Sequence, residues 1–179
     1  MREGYMSLAH SEDWNPNYEP FQIGFKIYIQ SMRDCTLVSH NAHNTSLGAA
    51  SGRGWNIKLM SGLISVYADD VLLAQPSEAL SLNTEADIFV RMSCNRIQIY
   101  YNGVVKCDVV LSPSYFFNVN SPLMFGRSGL VATPIFNGAL YNIRTVKGRT
   151  SYPSETFTTG MHLIARLNDG VSVKKVVLI

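Results

Sequence analysis

The sequence predicts an all-β domain, a sandwich or barrel of antiparallel strands. Three observations lead there. Apolar and polar side chains alternate with period two over many short segments, the signature of half-buried strands. The 13 glycines and 7 prolines fall mostly between those segments, where turns are needed. Helical periodicity is nearly absent. The length of 179 residues fits a single domain spanning 1–179. Hydrophobic residues make up 46 % and charged residues 16 %, well below the usual charged share of ~25 %, so apolar burial can offset the ordering entropy and disorder is excluded for most of the chain.

The elements follow in order. Phe21 to Ile29 alternates over nine residues, and its odd positions Phe21, Ile23, Phe25, Ile27 and Ile29 are expected to face the core. Residues 39–54 are small and polar and read as one long exposed loop. Trp55, Ile57 and Leu59 alternate with polar neighbours, and a Ser61-Gly62 turn leads back through Leu63 to Tyr67. That hairpin pairs Leu59 with Ile64 and Ile57 with Val66, and Trp55 shares the core register. Pro76 to Leu82 is the one stretch expected to form a helical turn. Ile88 to Met92 joins Arg96 to Tyr100 through a turn at Ser93-Cys94-Asn95. A three-residue loop, Tyr101-Asn102-Gly103, with a bulge at Gly103, then sets Ile99 against Val105 and Ile97 against Cys107. Tyr115-Phe116-Phe117 cannot all face one side of a strand, so at least one ring is expected to be exposed or to meet a partner. Leu123 to Gly126 and Phe136 to Ile143 are further strands. Residues 161–179 read as a C-terminal hairpin around Asn168-Asp169-Gly170.

Several classes of function are disfavoured by the same reading. A formal charge of +2, with scattered basic residues, gives no footprint for nucleic acid. No apolar run approaches the ~20 residues of a membrane span, and Met1 to Tyr5 open no signal peptide, so synthesis in a host cytoplasm is expected. The three cysteines, Cys35, Cys94 and Cys107, are an odd count matching no zinc spacing, and reduced, mostly buried thiols are expected. Cys94 and Cys107 are about four residues out of register, roughly 13 Å at strand rise, too far to bridge.

Four local patterns in this order resemble the concanavalin A-like lectin/glucanase superfamily, in particular its laminin-G-like jelly rolls. They are Leu8 to Trp14 followed by Phe21 to Ile27; Gly54-Trp55-Asn56-Ile57-Lys58-Leu59; Asn95 to Val104; and Phe136 to Arg144 with Lys147-Gly148 and Phe157-Thr158. The resemblance covers about residues 5–160. It implies a two-sheet antiparallel jelly-roll sandwich, and its last pattern is similar to modules of bacteriophage virion and tail proteins. Where the family has paired acids before the Val-Arg of that strand, this chain has Tyr141 and Asn142.

The resemblance raises glycoside hydrolysis, because glucanases share the fold. That chemistry needs two carboxylates flanking the bond, about 5–5.5 Å apart for retention. The family's Glu-x-Asp-x-x-Glu strand is matched by Glu85-Ala86-Asp87-Ile88-Phe89-Val90, in which Val90 replaces the third acid, so Glu85 and Asp87 are expected to cap a strand entry instead. No nucleophile elbow or phosphate loop appears. His40 and His43 have no carboxylate or thiol beside them and read as solvated loop residues. Asp69 and Asp70 are the one candidate for Ca²⁺, which needs six to eight oxygens; otherwise no cofactor is expected. The reading at this stage is a non-enzymatic structural or interaction module of a phage-like virion surface, oligomeric, with other virion proteins or further copies of itself as partners. The alternative is an adhesin for cell-surface glycans. The structural role would use broad faces, edge strands and termini, whereas the adhesin would use loops, with candidate ligand-binding residues His40, Asn41, Asn44, Arg53 and Asp70, together with Tyr115, Phe116 and Asn118.

Overall fold

The computed structural model describes residues 6–17, 19–41, 54–68, 71–126, 134 and 136–147, together with two C-terminal strands. The strands are β1 (Met6–Leu8), β2 (Phe21–Ile29), β3 (Cys35–His40), β4 (Trp55–Met60), β5 (Leu63–Ala68), β6 (Val71–Ala74), β7 (Glu85–Met92), β8 (Arg96–Tyr101), β9 (Val104–Val110), β10 (Leu123–Phe125), β11 (Gly138–Lys147), β12 (His162–Ala165) and β13 (Val176–Val177). They form two antiparallel sheets. One runs β1-β10-β3-β4-β5-β6, the other β13-β12-β11-β2-β7-β8-β9. Among the described residues the one helical element is a 3₁₀ turn at Glu12–Trp14, opened by Ser11, whose hydroxyl accepts from the Asp13 amide.

The core lies between the sheets and follows the alternation read from sequence. Phe21, Ile23, Phe25, Ile27 and Ile29 of β2 are buried against Ile88, Val90 and Met92 of β7 and Ile97 and Ile99 of β8 on their own sheet, facing Trp55, Ile57, Leu59, Ile64 and Val66 of the other. The β4–β5 hairpin pairs Leu59 with Ile64 and Ile57 with Val66 as expected. Ser61 and Gly62 both take positive φ, the mirror-image turn that matches strand twist.

The β8–β9 hairpin differs from expectation. Asn102 and Gly103 alone form the turn, both at positive φ, with Tyr101 opposite Val104. The bulge falls inside β9, between the pairs Tyr100–Val105 and Ile99–Cys107, leaving Lys106 as the extra residue. Ile97 therefore meets Val109, not Cys107. An Asn-Gly dipeptide suits two consecutive positive-φ positions, so the tight turn forms at its own site. The shift that puts apolar residues on the core face is made one step later, by Lys106.

Residues 76–82 form no helical turn. Their backbone is drawn outward into the two layers instead: the Leu80 amide donates to the Gly62 carbonyl at 2.8 Å and the Asn83 amide to the Ile29 carbonyl at 2.8 Å.

The thiols are free, as expected, but only Cys35 is buried; Cys94 and Cys107 are half-buried. Burial pushes the Cys35 thiol up to about 12, and burial also raises Cys107. A thiol reagent at pH 8 is expected to modify Cys94 well before Cys35, because the thiolate is the nucleophile and Cys35 forms almost none. Peptide mapping after brief alkylation checks this; equal labelling of Cys35 would contradict the core assignment of β3.

Gly138 opens β11 with a φ of 158°, and a Cβ there would stand 2.1 Å from the Tyr28 carbonyl oxygen. Gly138→Ala is expected to cost roughly 1–3 kcal/mol by overpacking, read as a lower midpoint in urea unfolding. An unchanged midpoint would show that β2 and β11 are not held at this spacing.

Candidate functional site

Two surfaces gather polar chemistry. The first is one end of the sandwich, where the loop after β9 meets the segment between β1 and β2. His10 Nδ1 lies 3.3 Å from the Ser121 carbonyl, and Asn15 Nδ2 donates to the Val119 carbonyl at 3.3 Å. Asn17 clasps Phe117 from both sides: its Nδ2 donates to the Phe117 carbonyl at 2.8 Å and its Oδ1 accepts from the Phe117 amide at 2.8 Å. Phe117 is thereby buried, Tyr115 packs partly against the core, and Phe116 points out at 47 % exposure beside the exposed Asn118. The mixed fate of the three aromatics is as the sequence required.

His40 is a correction. It does not sit in the exposed loop but ends β3, paired with Trp55 across the sheet and fully buried. Its ring stacks on His10 at 5.8 Å and meets Trp14 edge-on at 5.9 Å. An imidazole flanked by alternating apolar residues on β3 takes the strand's core register, which a reading by composition alone missed. Asn41 follows it, half-buried against Gly54, where a Cβ would lie 2.6 Å from the Asn41 Cα. His43, Asn44, Arg53, Asp69 and Asp70 lie outside the described residues. Among the described residues no group of three or more His, Cys, Asp or Glu could hold a metal ion.

The second surface is the outer face of the seven-stranded sheet, and the sequence reading did not assemble it. Because β2, β7 and β8 turn their apolar positions inward, the alternate residues must face out. The cross-strand pairs place Gln22 beside Arg91, Arg91 beside Gln98 and Gln98 beside Asp108; Gly24 beside Phe89 and Phe89 beside Tyr100; Lys26 beside Asp87; and Tyr28 beside Glu85. From β11, Tyr141 lies beside Lys26 and Arg144 beside Gly24. Gly24 makes room there: a Cβ at that position would stand 3.4 Å from Phe89 Cδ2 and 3.6 Å from Arg144 Nε. Asn142, where the resemblance would place an acid, takes a positive φ of 51° at the β11 bulge, a conformation asparagine tolerates better than most residues. That bulge is what brings Arg144 onto this face.

The charges on the face are mostly paired. Glu85 accepts from Lys26 and from the Tyr141 hydroxyl. Arg144 Nη2 donates to Asp87 at 3.0 Å. Arg96 grips Asp108 with two bonds of 2.7 and 2.6 Å, and Gln98 Nε2 adds a third at 3.0 Å. The Arg96 hydrogen bonds hold the Asp108 carboxyl below the usual range. Glu85 is the first residue of β7, at the strand entry as expected, and Asp87 lies two residues in; both are in ion pairs with neighbouring strands. Val90, at the place of the third acid, is sealed in the core between Ile23 and Ile99. The arrangement offers fixed hydrogen-bond donors and acceptors beside aromatic rings. Phe89 and Tyr100 meet edge to face at 5.5 Å and are buried, as are Gln22 and Gln98, so the part-exposed rings of the face are Tyr28 and Tyr141.

No protein-family model matches the sequence. No curated protein matches it at a significant level. Solved structures do match the fold. The mouse laminin alpha1 chain, domains LG4-5, aligns with a TM-score of 0.57 at 17 % identity, over 79 % of this chain and 38 % of that one. The CBM40 module of Ruminococcus gnavus IT-sialidase, bound to alpha2,3 sialyllactose, aligns at 0.57 and 13 % identity, over 75 % of this chain and 78 % of that one. Domain 4 of AbnA, a GH43 extracellular arabinanase from Geobacillus stearothermophilus in complex with arabinotriose, aligns at 0.52 and 13 % identity, over 79 % and 66 %. The chain folds as a two-sheet antiparallel jelly-roll sandwich. It spans well under half of the laminin chain and about two thirds of the arabinanase domain. At these identities the likeness concerns the fold, on which binding modules and domains of enzymes both occur.

Proposed function

We propose that this protein is a non-catalytic glycan-binding module that uses the outer face of its seven-stranded sheet. One observation carries the reading. Strands β2, β7 and β11 leave Lys26, Tyr28, Asp87, Arg91, Tyr141 and Arg144 part-exposed on one face, anchored by ion pairs, over the buried Gln22, Phe89, Gln98 and Tyr100. Sugars are recognised by this combination: aromatic rings for their apolar CH faces, and guanidinium and carboxylate groups of fixed orientation for their hydroxyls. The sugars named with two of the matched structures support the same reading. Catalysis is not part of it. Glu85 and Asp87 are held as ion-pair partners, and the third position of the family's acidic strand is apolar and sealed, so a general acid next to a nucleophile is missing from β7. The loop end with Asn41, Phe116 and Asn118 would border, not form, the binding surface. In calorimetric titrations with an oligosaccharide panel, Tyr28→Ala and Tyr141→Ala are expected to weaken binding at least about tenfold, roughly 1.4 kcal/mol, with the fold intact by circular dichroism. Unchanged affinity in both variants would remove this face from the account.

A structural role through protein–protein contacts is the second reading, and one feature favours it. The edge strands β6 and β9 expose Val71, Leu72, Val104, Val105 and Val110. Unpaired strand edges with apolar side chains are common sites of association. The virion setting, with virion proteins as partners, rests on the sequence resemblance alone. Native mass in solution separates the two readings: a stable oligomer dissociated by Val105→Lys and Val110→Lys would favour the structural one.

A further inference from the structure

We propose that Tyr141 and Glu85 form one sugar subsite, in which the Tyr141 ring carries a neutral pyranose and the Glu85 carboxylate accepts two of its adjacent hydroxyls; the inference rests on the glycan-binding reading above. Strand order carries it. β11, β2 and β7 are neighbours in that order. Tyr141 stands beside Lys26, and Lys26 beside Asp87, in one cross-strand row; Tyr28 stands beside Glu85 in the next. The Tyr141 hydroxyl donates to Glu85 Oε2, on the strand beyond β2. Strands lie about 4.8 Å apart, so this contact bridges roughly 10 Å between backbones, and the ring must lie along the sheet instead of standing up from it. Tyr141 is part-exposed, so a ring laid down in this way turns a face to solvent.

Glu85 is accessible at the edge of that ring. Its side chain is 48 % exposed, against 32 % for Asp87 and 33 % for Asp108, the other carboxylates of the face. β8 does not run beside it, because the pairing of β7 with β8 starts at Ile88–Tyr101. Lys26 donates to Oε1 and Tyr141 to Oε2, one bond to each oxygen. A carboxylate has about four lone-pair sites, so each oxygen keeps capacity for a hydroxyl donor. The two partners fix the carboxylate in place, and a hydrogen bond to an ionised acceptor is about twice as strong as one between neutral groups. A pyranose has an apolar C–H face and hydroxyls around its rim. Laid on the Tyr141 ring, it brings that rim to the hydroxyl end of the tyrosine, where Glu85 sits, with Tyr28 bordering the same spot. An acidic group on the rim would meet Glu85 as a like charge, which selects against anionic sugars.

The test uses lactose, cellobiose and mannobiose, each with its singly deoxygenated analogues, and sialyllactose and a glucuronyl disaccharide as acidic members. Binding is measured by calorimetry to the full chain, Glu85→Gln and Glu85→Asp, with circular dichroism as the control for folding. A neutral sugar is expected to bind at least about tenfold tighter than its analogue lacking one of the two rim hydroxyls, and tighter than the acidic members. Glu85→Gln is expected to erase the difference between sugar and deoxy analogue, because the sugar loses affinity and the analogue loses far less. Glu85→Asp keeps the charge on a shorter stem and is expected to retain part of the difference. Undiminished binding by Glu85→Gln overturns this inference and leaves the glycan reading standing. Equal loss of sugar and analogue also overturns it, since Glu85 would then only hold the sheet. Tighter binding of the acidic members overturns it in the same way. No saturable binding by any member overturns both.

Discussion

Trp55→Ala is expected to cost about 3–5 kcal/mol, the range for removing a large aromatic from a packed core. Domains of this kind have total stabilities of roughly 5–15 kcal/mol, so the variant would be at the edge of folding. Trp55 is fully buried and packs on Phe21 at a ring distance of 5.4 Å and on His40 at 5.9 Å. Its indole N–H also donates to the Trp14 carbonyl at 2.8 Å, which fixes the 3₁₀ turn over the core. The alanine variant therefore leaves both a cavity and an unpaired buried carbonyl. Trp55→Phe separates the two, keeping most of the volume and losing the hydrogen bond, with an expected cost of about 1–3 kcal/mol. Urea unfolding of both variants measures the difference. A loss below 1 kcal/mol for alanine would mean that β4 does not turn this residue inward.

The second large effect depends on pH. Burial lowers the His40 pKa to about 4, and the charge of neighbouring His10 adds to the shift. In the unfolded chain the group titrates near its ordinary value of ~6.5. Between these values the unfolded state binds the proton and the folded state does not, so stability falls as pH falls. From pH 7 to pH 4 the loss is expected to approach about 3 kcal/mol, from a gap of roughly 2.5 units at 1.36 kcal/mol each, and to level off below the folded pKa. Groups around His40 modify the curve. His10 stacks on it, Glu12 lies 3.0 Å from His10 Nε2, and Lys147 reaches the Glu12 carbonyl. His40→Phe, which keeps an aromatic in the layer, is expected to flatten the profile between pH 4 and 6.5. A profile equally steep in that variant would place the acid sensitivity elsewhere, in the carboxylates of the ion pairs.

Much of the architecture was legible in the sequence because alternation is a local signal. Nine residues from Phe21 to Ile29 with apolar odd positions admit one face for the core, and the β4–β5 register followed from the same rule. The β8–β9 register was not legible, since one inserted residue can sit in the turn or in the strand and satisfy the same pattern; the Asn-Gly turn decided it in favour of Lys106. His40 was misplaced for a related reason. Composition marked it as loop, whereas the phase of Leu37, Val38 and the bulge between Thr36 and Val38 put it in the core. The outer face of the seven-stranded sheet was invisible for a different reason. Its residues come from four strands scattered over residues 22 to 144, and only sheet order joins them. A usable signal was present all the same: the outward positions of β2, β7 and β8 hold aromatics and amides together with charges, rather than the charged and hydroxyl residues expected of a solvated face.

The central claim, that this face binds glycans, is tested most directly by amide chemical-shift mapping of the full chain titrated with an oligosaccharide that binds it. The account predicts saturable shifts grouped on Lys26, Tyr28, Asp87, Arg91, Tyr141 and Arg144. Shifts confined to residues 113–121 and the end of β3 would contradict it and return the site to the loops.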